Sequence, residues 1–221
     1  MFSKIKSVLI IFNTVAVISV IGFLGYHGPT LIKVTKIMGE NEKRQKDLNT
    51  PKKINISNAE LTKNSAVLGK KDAPITIVKF NSFSCGWCKR AKDVVHKIAK
   101  TYPNEVKTVY KHYSRGGNDV LTGQAAECAG EQGKFWKMYD VLFDVHSKED
   151  ITKAAQKVGL RMGKFNECLA SGKYKNKVQQ DSSFGRQLGI QGTPAFIVNG
   201  MLIKGYRDFK FFEAEIKKHL K

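Results

Sequence analysis

Apolar and polar positions divide the chain into three stretches. Ser7 to Tyr26 runs 20 residues without a charge. At about 1.5 Å per helical residue it reaches about 30 Å, the thickness of a bilayer's hydrocarbon core. Lys4 and Lys6 precede it, as in a signal or anchor. The run is longer than the apolar part of most cleaved signals, and its best small-residue cleavage site, Val20-Ile21-Gly22, is poor. Residues 1–26 are therefore expected to be an N-terminal transmembrane anchor or signal segment, in contact with membrane through residues 7–26. Gly28-Pro29 ends it. Residues 27–65 read as a linker. Ile32 to Leu48 is polar and weakly periodic, in the manner of a short exposed helix, and Asn49 to Asn64 is rich in Lys, Asn, Ser and Pro, in the manner of a tether.

From about residue 66 the pattern is that of a folded domain, expected over 66–221. Ile75 to Phe80 has the length and apolarity of a strand. Ala91, Val94, Val95, Ile98 and Tyr102 follow at spacings that place them on one helix face, and Pro103-Asn104 stops that helix. Val106 to Tyr113 reads as a second strand. Strand, helix and strand within about 40 residues make a βαβ unit with a parallel pair. Asp119 to Leu188 is helical in pattern, and Ser147-x-x-Asp150 has the form of a capping box. Ala195 to Val198 and Met201 to Ile203 flank Asn199-Gly200, the dipeptide favoured in a two-residue hairpin because both positions need positive φ. Asp208 can cap a last helix bearing Phe209, Phe212, Ile216 and Leu220. The order is βαβ, a helical block inserted at about 115–189, then ββα.

Charge narrows the partners. Lys and Arg number 38 against 19 Asp and Glu, a net +19. The cations are 32 Lys and 6 Arg, and the Lys are scattered. Surfaces that read bases or clamp phosphates favour Arg forks, so no nucleic-acid partner is expected. Lys33, Lys36, Lys43, Arg44 and Lys46 outnumber the cations ahead of the apolar run. A positive-inside count therefore puts the large domain in the cytoplasm. The cysteine chemistry argues for the opposite side.

Four cysteines are too few to staple a mini-protein. Cys85-Gly86-Trp87-Cys88 falls after the first strand, where the first helix begins. A helix N-terminus stabilises a thiolate through its unpaired N–H groups and dipole. Lys89, Arg90 and Lys92 oppose that dipole and so weaken the helix, but they favour an anionic sulfur. Lys89 lies on the same face as Cys85 and has a supporting place. A zinc site needs two further ligands. Cys128 and Cys168 are isolated and the five His form no spaced pair, so a redox dithiol is expected and no metal. Trp87, between two reactive sulfurs, is expected to be exposed. Trp136, Phe135, Tyr139 and Phe143 read as core, and His112 as a packing or surface residue.

Together APITIVKFNSFSCGWCKRA and GTPAFIVNG resemble the DsbA-like thiol:disulfide oxidoreductases of the thioredoxin superfamily. The resemblance runs from about Leu68 to the C-terminus, includes a helical insertion in the same place, and rests on two motifs 109 residues apart, Cys85 to Pro194. It implies a thioredoxin fold with an inserted helical domain. It implies that Cys85 is the exposed nucleophile, Cys88 the buried resolving thiol, and Thr193-Pro194 a cis-proline loop facing them, where an extended substrate can pair beside Trp87. It implies a structural Cys128–Cys168 disulfide, two buried thiols being the alternative. Gly86 and Trp87 depart from the dipeptides of strongly oxidising DsbA and of thioredoxin, and Thr193 stands where some relatives carry Val or Ile. These positions, with Lys89, tune the potential and leave the redox direction open.

The function expected is disulfide formation in exported proteins, outside the cytoplasm. A second redox protein, soluble or membrane-bound, recycles the dithiol, and no metal or organic cofactor is needed. A disulfide isomerase or reductase is the same-chemistry alternative. A membrane-tethered holdase or metal-binding module is the alternative of a different class.

Overall fold

The computed structural model describes residues 32–43 and 50–220. The chain divides into two units, 1–49 and 50–221. In the first, residues 32–43 are helical and exposed (α1). The apolar run at 7–26 lies outside the described residues. Among those described, no helix is long and apolar enough to cross a membrane.

The second unit reaches into the segment expected as linker. β1 (Lys52–Lys53) pairs antiparallel with β6 (Met201–Lys204), and α2 (Asn58–Thr62) is capped by the Ser57 side chain. The second compact unit begins at Thr50. Two exposed lysines carry no apolar signal, and α2 contributes a single buried side chain, Leu61.

The remaining elements are β2 (Val67–Leu68), β3 (Ile75–Asn81), α3 (Gly86–Thr101), β4 (Val106–His112), then α4 (Asn118–Gly130), α5 (Phe135–Leu142), α6 (Lys148–Lys157), α7 (Met162–Ser171) and α8 (Lys175–Gln187). β5 (Ala195–Val198), β6 and α9 (Phe209–His219) complete the domain. The sheet order is β1-β6-β5-β3-β4-β2. β3 and β4 are parallel and the other pairs antiparallel. The turn between β5 and β6 holds Asn199 at φ 43° and Gly200 at φ 85°, the positive angles its dipeptide was read to need.

β3 is buried along its whole length, and its period of two divides the core. Ile75 and Ile77 pack with Ala91, Val94 and Ile98 of α3 and with Phe212 and Ile216 of α9. Val78 and Phe80 pack on the other face with Leu61, Val109 and Ile197. The helices α4–α8 form a third cluster around Met138, Tyr139, Leu142 and Phe165, into which Phe83, Cys88 and Tyr110 project. Cys128 on α4 and Cys168 on α7 are joined by a disulfide, S–S 2.01 Å, across a separation of 40 residues. Closing a loop of that length restricts the unfolded chain by about 4 kcal/mol in the chain-entropy model. Ser147 and Asp150 make the reciprocal capping box of α6, and Asp208 caps α9.

Candidate active site

Cys85 is the N-cap of α3, with extended backbone at φ −96° and ψ 114°, and no side-chain cap competes for the helix N-terminus. The preceding loop is tied from the helical insertion. Buried Asp119 accepts hydrogen bonds from Ser82 Oγ (2.9 Å) and from the Ser84 backbone N–H (3.1 Å). This carboxylate positions the loop that delivers Cys85, and it has no sequence signature beyond its place in a helix's first turn.

The two thiols of one motif meet opposite environments. Cys85 is half-buried and Cys88 fully buried. The Cys85 thiol is lowered from the ordinary cysteine value to about 5. The Cys88 side chain, hydrogen-bonded to the Cys85 sulfur, is the main cause. Burial opposes it, and the Thr193 side chain and the backbone of Cys88 and Trp87 add to the lowering. Burial drives Cys88 far upward, assisted by that same shared bond. The pair therefore rests as a thiolate over a thiol.

The Thr193-Pro194 peptide is cis, and the Thr193 carbonyl lies 3.2 Å from Cys85 Sγ. Residues 108 apart in sequence thus face each other. Trp87 is 56% exposed, its ring 5.6 Å from Tyr206, with the Arg90 guanidinium 5.5 Å from Trp87 and 5.1 Å from Tyr206. On the other side of Cys85 a groove of about 480 Å³ runs between α3 and the insertion, lined by Phe83, Phe143 and Val145 with Asn118, Lys89 and His146. A larger open depression of about 780 Å³, around Lys111, Asp181, Lys177 and Glu127, contains no thiol.

Other expected residues take different places. Gly86 opens α3 with free space where a Cβ would sit, so packing does not demand glycine there. Lys89 pairs with Asp144 at the surface and holds that carboxyl below its usual range. Cys128 and Cys168, bonded to each other, are not free to complete a four-ligand zinc set with Cys85 and Cys88. His112 is buried and pairs with Glu127 at 2.8 Å rather than with either thiol. Phe135, Tyr139 and Phe143 are buried, with Trp136 packed against them.

Besides Asp119, a second residue at the site went unread in the sequence. Lys79 interrupts the apolar strand Ile75–Phe80, on the β3 face shared with Ile75 and Ile77, and is fully buried. Its Nζ donates to the Tyr139 hydroxyl at 2.6 Å and to the Cys88 carbonyl at 3.3 Å. It stands 5.1 Å from the Tyr139 ring centre and 5.7 Å from that of Phe143. Burial lowers its ammonium from the ordinary lysine range to about 8, partly offset by the charges of Cys88 and Cys85. The signal available was a single ionisable residue inside an otherwise uncharged run.

The sequence model of the thioredoxin family matches residues 61–218. The chain belongs to the thioredoxin family. Among curated proteins it is 27% identical over 183 residues to disulfide bond formation protein D of Bacillus subtilis, covering 75% of this chain and 82% of that one. A solved structure of BdbD from Bacillus subtilis superposes with a TM-score of 0.66 at 25% identity, over 78% of this chain and 99% of that chain. Within the thioredoxin family the likeness is thus to the DsbA-like disulfide-exchange proteins. The chain is also 33% identical over 143 residues, 61% of its length, to a Na(+)/H(+) antiporter NhaA of Salinispora tropica. It spans about a fifth of that antiporter, 21%.

Proposed function

We propose that this protein is a thiol:disulfide oxidoreductase that forms disulfides in exported proteins by dithiol–disulfide exchange. The observation that carries the reading is the split between the two thiols: Cys85 ionised near neutrality and half-exposed, Cys88 neutral and enclosed behind it. In the oxidising direction a substrate thiolate attacks Cys85 Sγ of the Cys85–Cys88 disulfide, and a mixed disulfide forms. A second substrate thiolate then displaces Cys85 as a thiolate, which is a good leaving group because its conjugate acid is strong. In the reverse direction Cys88 resolves the mixed disulfide. The Thr193 carbonyl offers an acceptor to an extended substrate backbone, and Trp87 with Tyr206 offers it an aromatic face. Gly86 and Lys89 border this surface and are assigned to tuning the potential.

An extracytoplasmic site, with tethering through residues 7–26, fits both the exchange chemistry and the Cys128–Cys168 disulfide, since such bonds persist in oxidising compartments. A recycling redox partner reoxidises the dithiol. The test combines activity and equilibrium. Cys85→Ser is expected to abolish thiol oxidation and insulin reduction by the full-length protein, and the wild-type dithiol is expected to equilibrate with glutathione as a more oxidising couple than thioredoxin. Retained activity in the serine variant contradicts exchange at Cys85. A thioredoxin-like equilibrium contradicts the oxidising direction alone.

A further inference from the structure

Lys89, Arg90 and Lys92 stand near the start of α3, where the helix dipole disfavours cations. Two of them have oxygen partners within the protein. Lys89 pairs with Asp144, and Lys92 donates to the Asp140 carbonyl at 3.3 Å. Arg90 differs. Among the described residues no carboxylate pairs with it, Asp93 three positions along α3 included. Its guanidinium rests instead against two rings, 5.5 Å from Trp87 and 5.1 Å from Tyr206, while the ring centres stand 5.6 Å apart. The three distances are nearly equal, so the guanidinium is shared by both rings rather than held by one.

The place of this cluster decides what it can meet. The Gly205 N–H donates to the Pro194 carbonyl at 2.9 Å, so Tyr206 follows directly on a residue tied to the cis-proline. Trp87 lies between the two cysteines. Helical side chains point back toward the N-terminus, so Arg90 leans from the second turn toward the end of α3 that carries Cys85. In an extended substrate, residues two positions from its cysteine share the cysteine's face of the strand, about 7 Å away. On the other side of Cys85 the groove presents Lys89 and His146, and the carboxylate in its lining, Asp119, is buried and bonded to Ser82 and Ser84. Among the residues lining that groove, no exposed carboxylate repels an acidic segment.

A guanidinium held by ring faces keeps its edge N–H groups, and that edge is the fork that matches a carboxylate with two parallel hydrogen bonds. The rings also remove in advance part of the freedom a long side chain loses on binding. We propose that Arg90 binds a carboxylate side chain two residues from the substrate's cysteine, so that acidic segments are the preferred substrates of this dithiol. The proposal rests on the reading of Cys85–Cys88 as an exchange dithiol and adds to it a choice of substrate.

The test crosses two peptides with two variants. Each peptide carries a pair of cysteines that closes into one disulfide. In one, glutamate stands two residues outside each cysteine, and in the other, glutamine. Oxidised full-length protein is mixed with excess reduced peptide and quenched in acid, and the peptide disulfide is followed by mass spectrometry. The glutamate-to-glutamine rate ratio of the wild type is divided by that of Arg90→Gln. This quotient cancels the peptides' own reactivity and any change the substitution makes for both. It is expected to be about fivefold at low salt, the upper range for an exposed ion pair, and to fall toward one at about 1 M salt. Arg90→Lys keeps the charge without the fork and is expected to recover no more than about half of the preference. A quotient of one at low salt overturns the proposal and leaves Arg90 as cover for the two rings. Full recovery by lysine overturns the stacked fork as the binding group, since charge alone then suffices. A wild type that oxidises neither peptide overturns the oxidoreductase reading itself, an outcome separate from both.

Discussion

Cys85 and Cys88 are the same residue type three positions apart, and the fold separates them by solvent and by hydrogen bonding. Cys85 collects hydrogen bonds that favour the anion, while burial dominates at Cys88 and outweighs the lowering by the Lys79 charge and the Ser82 backbone. Groups driven apart in this way mark sites of chemistry. The motif made both sulfurs legible, because C-x-x-C at a strand-to-helix junction has few other uses. Lys79 and Asp119 were not legible, since their importance comes from what folds over them. Lys79 needs α3 and α5 to close above β3, and Asp119 needs the insertion to return to the loop at Ser82. Trp87 belongs to the same scale. Its exposed ring is backed by Tyr206 and Arg90, and the proposed function assigns it contact with substrate. Trp87→Ala is expected to raise KM for an unfolded protein substrate up to about tenfold, the value of an aromatic contact, and to leave the reaction with glutathione within about twofold. Equal losses with both substrates contradict a role in substrate contact.

The elements that announced themselves did so through periodicity. β3 carries an apolar-rich run interrupted at Lys79, β5 a continuous apolar one, α3 its one-faced stripe, and the β5–β6 hairpin its Asn199-Gly200 turn. β1, β2 and α2 did not, because two-residue edge strands and a single-turn helix hold too few positions for a period to appear. Contacts between elements were hidden for another reason: the residue that permits them is the one lacking a side chain. α8 crosses the sheet at Gly185, where a Cβ would come within 2.9 Å of the Phe80 ring and 3.0 Å of Tyr113. Alanine is a better helix former by about 1 kcal/mol, yet both rings are buried and cannot yield freely. Gly185→Ala is therefore expected to destabilise the domain by about 1 to 3 kcal/mol, the usual cost of overpacking, read as a lower urea midpoint at unchanged m-value. An unchanged or higher midpoint contradicts the close approach of α8 to the sheet.

At the scale of the molecule the fold joins pieces that the chain keeps far apart. β3 ends in the loop that presents Cys85, the insertion anchors that loop through Asp119, and β5 begins just after the Thr193 carbonyl that faces the sulfur. The βαβ and ββα halves were readable, as was the helical block between them. How the block is fastened was readable only through the family resemblance, because spacing alone does not pair Cys128 with Cys168. The chain's net charge of +19 comes from scattered Lys with no basic motif, so it bears on solubility and on approach to anionic surfaces rather than on the chemistry. That chemistry depends on one sulfur being ionised and reachable, and the pH dependence of its alkylation measures both properties at once. Treating the reduced full-length protein with iodoacetamide from pH 3 to 10, with the site of labelling read by mass spectrometry, is expected to modify Cys85 first, with half-maximal rate near pH 5. A midpoint near 8.5, the value of an ordinary cysteine, or labelling that requires unfolding, contradicts it.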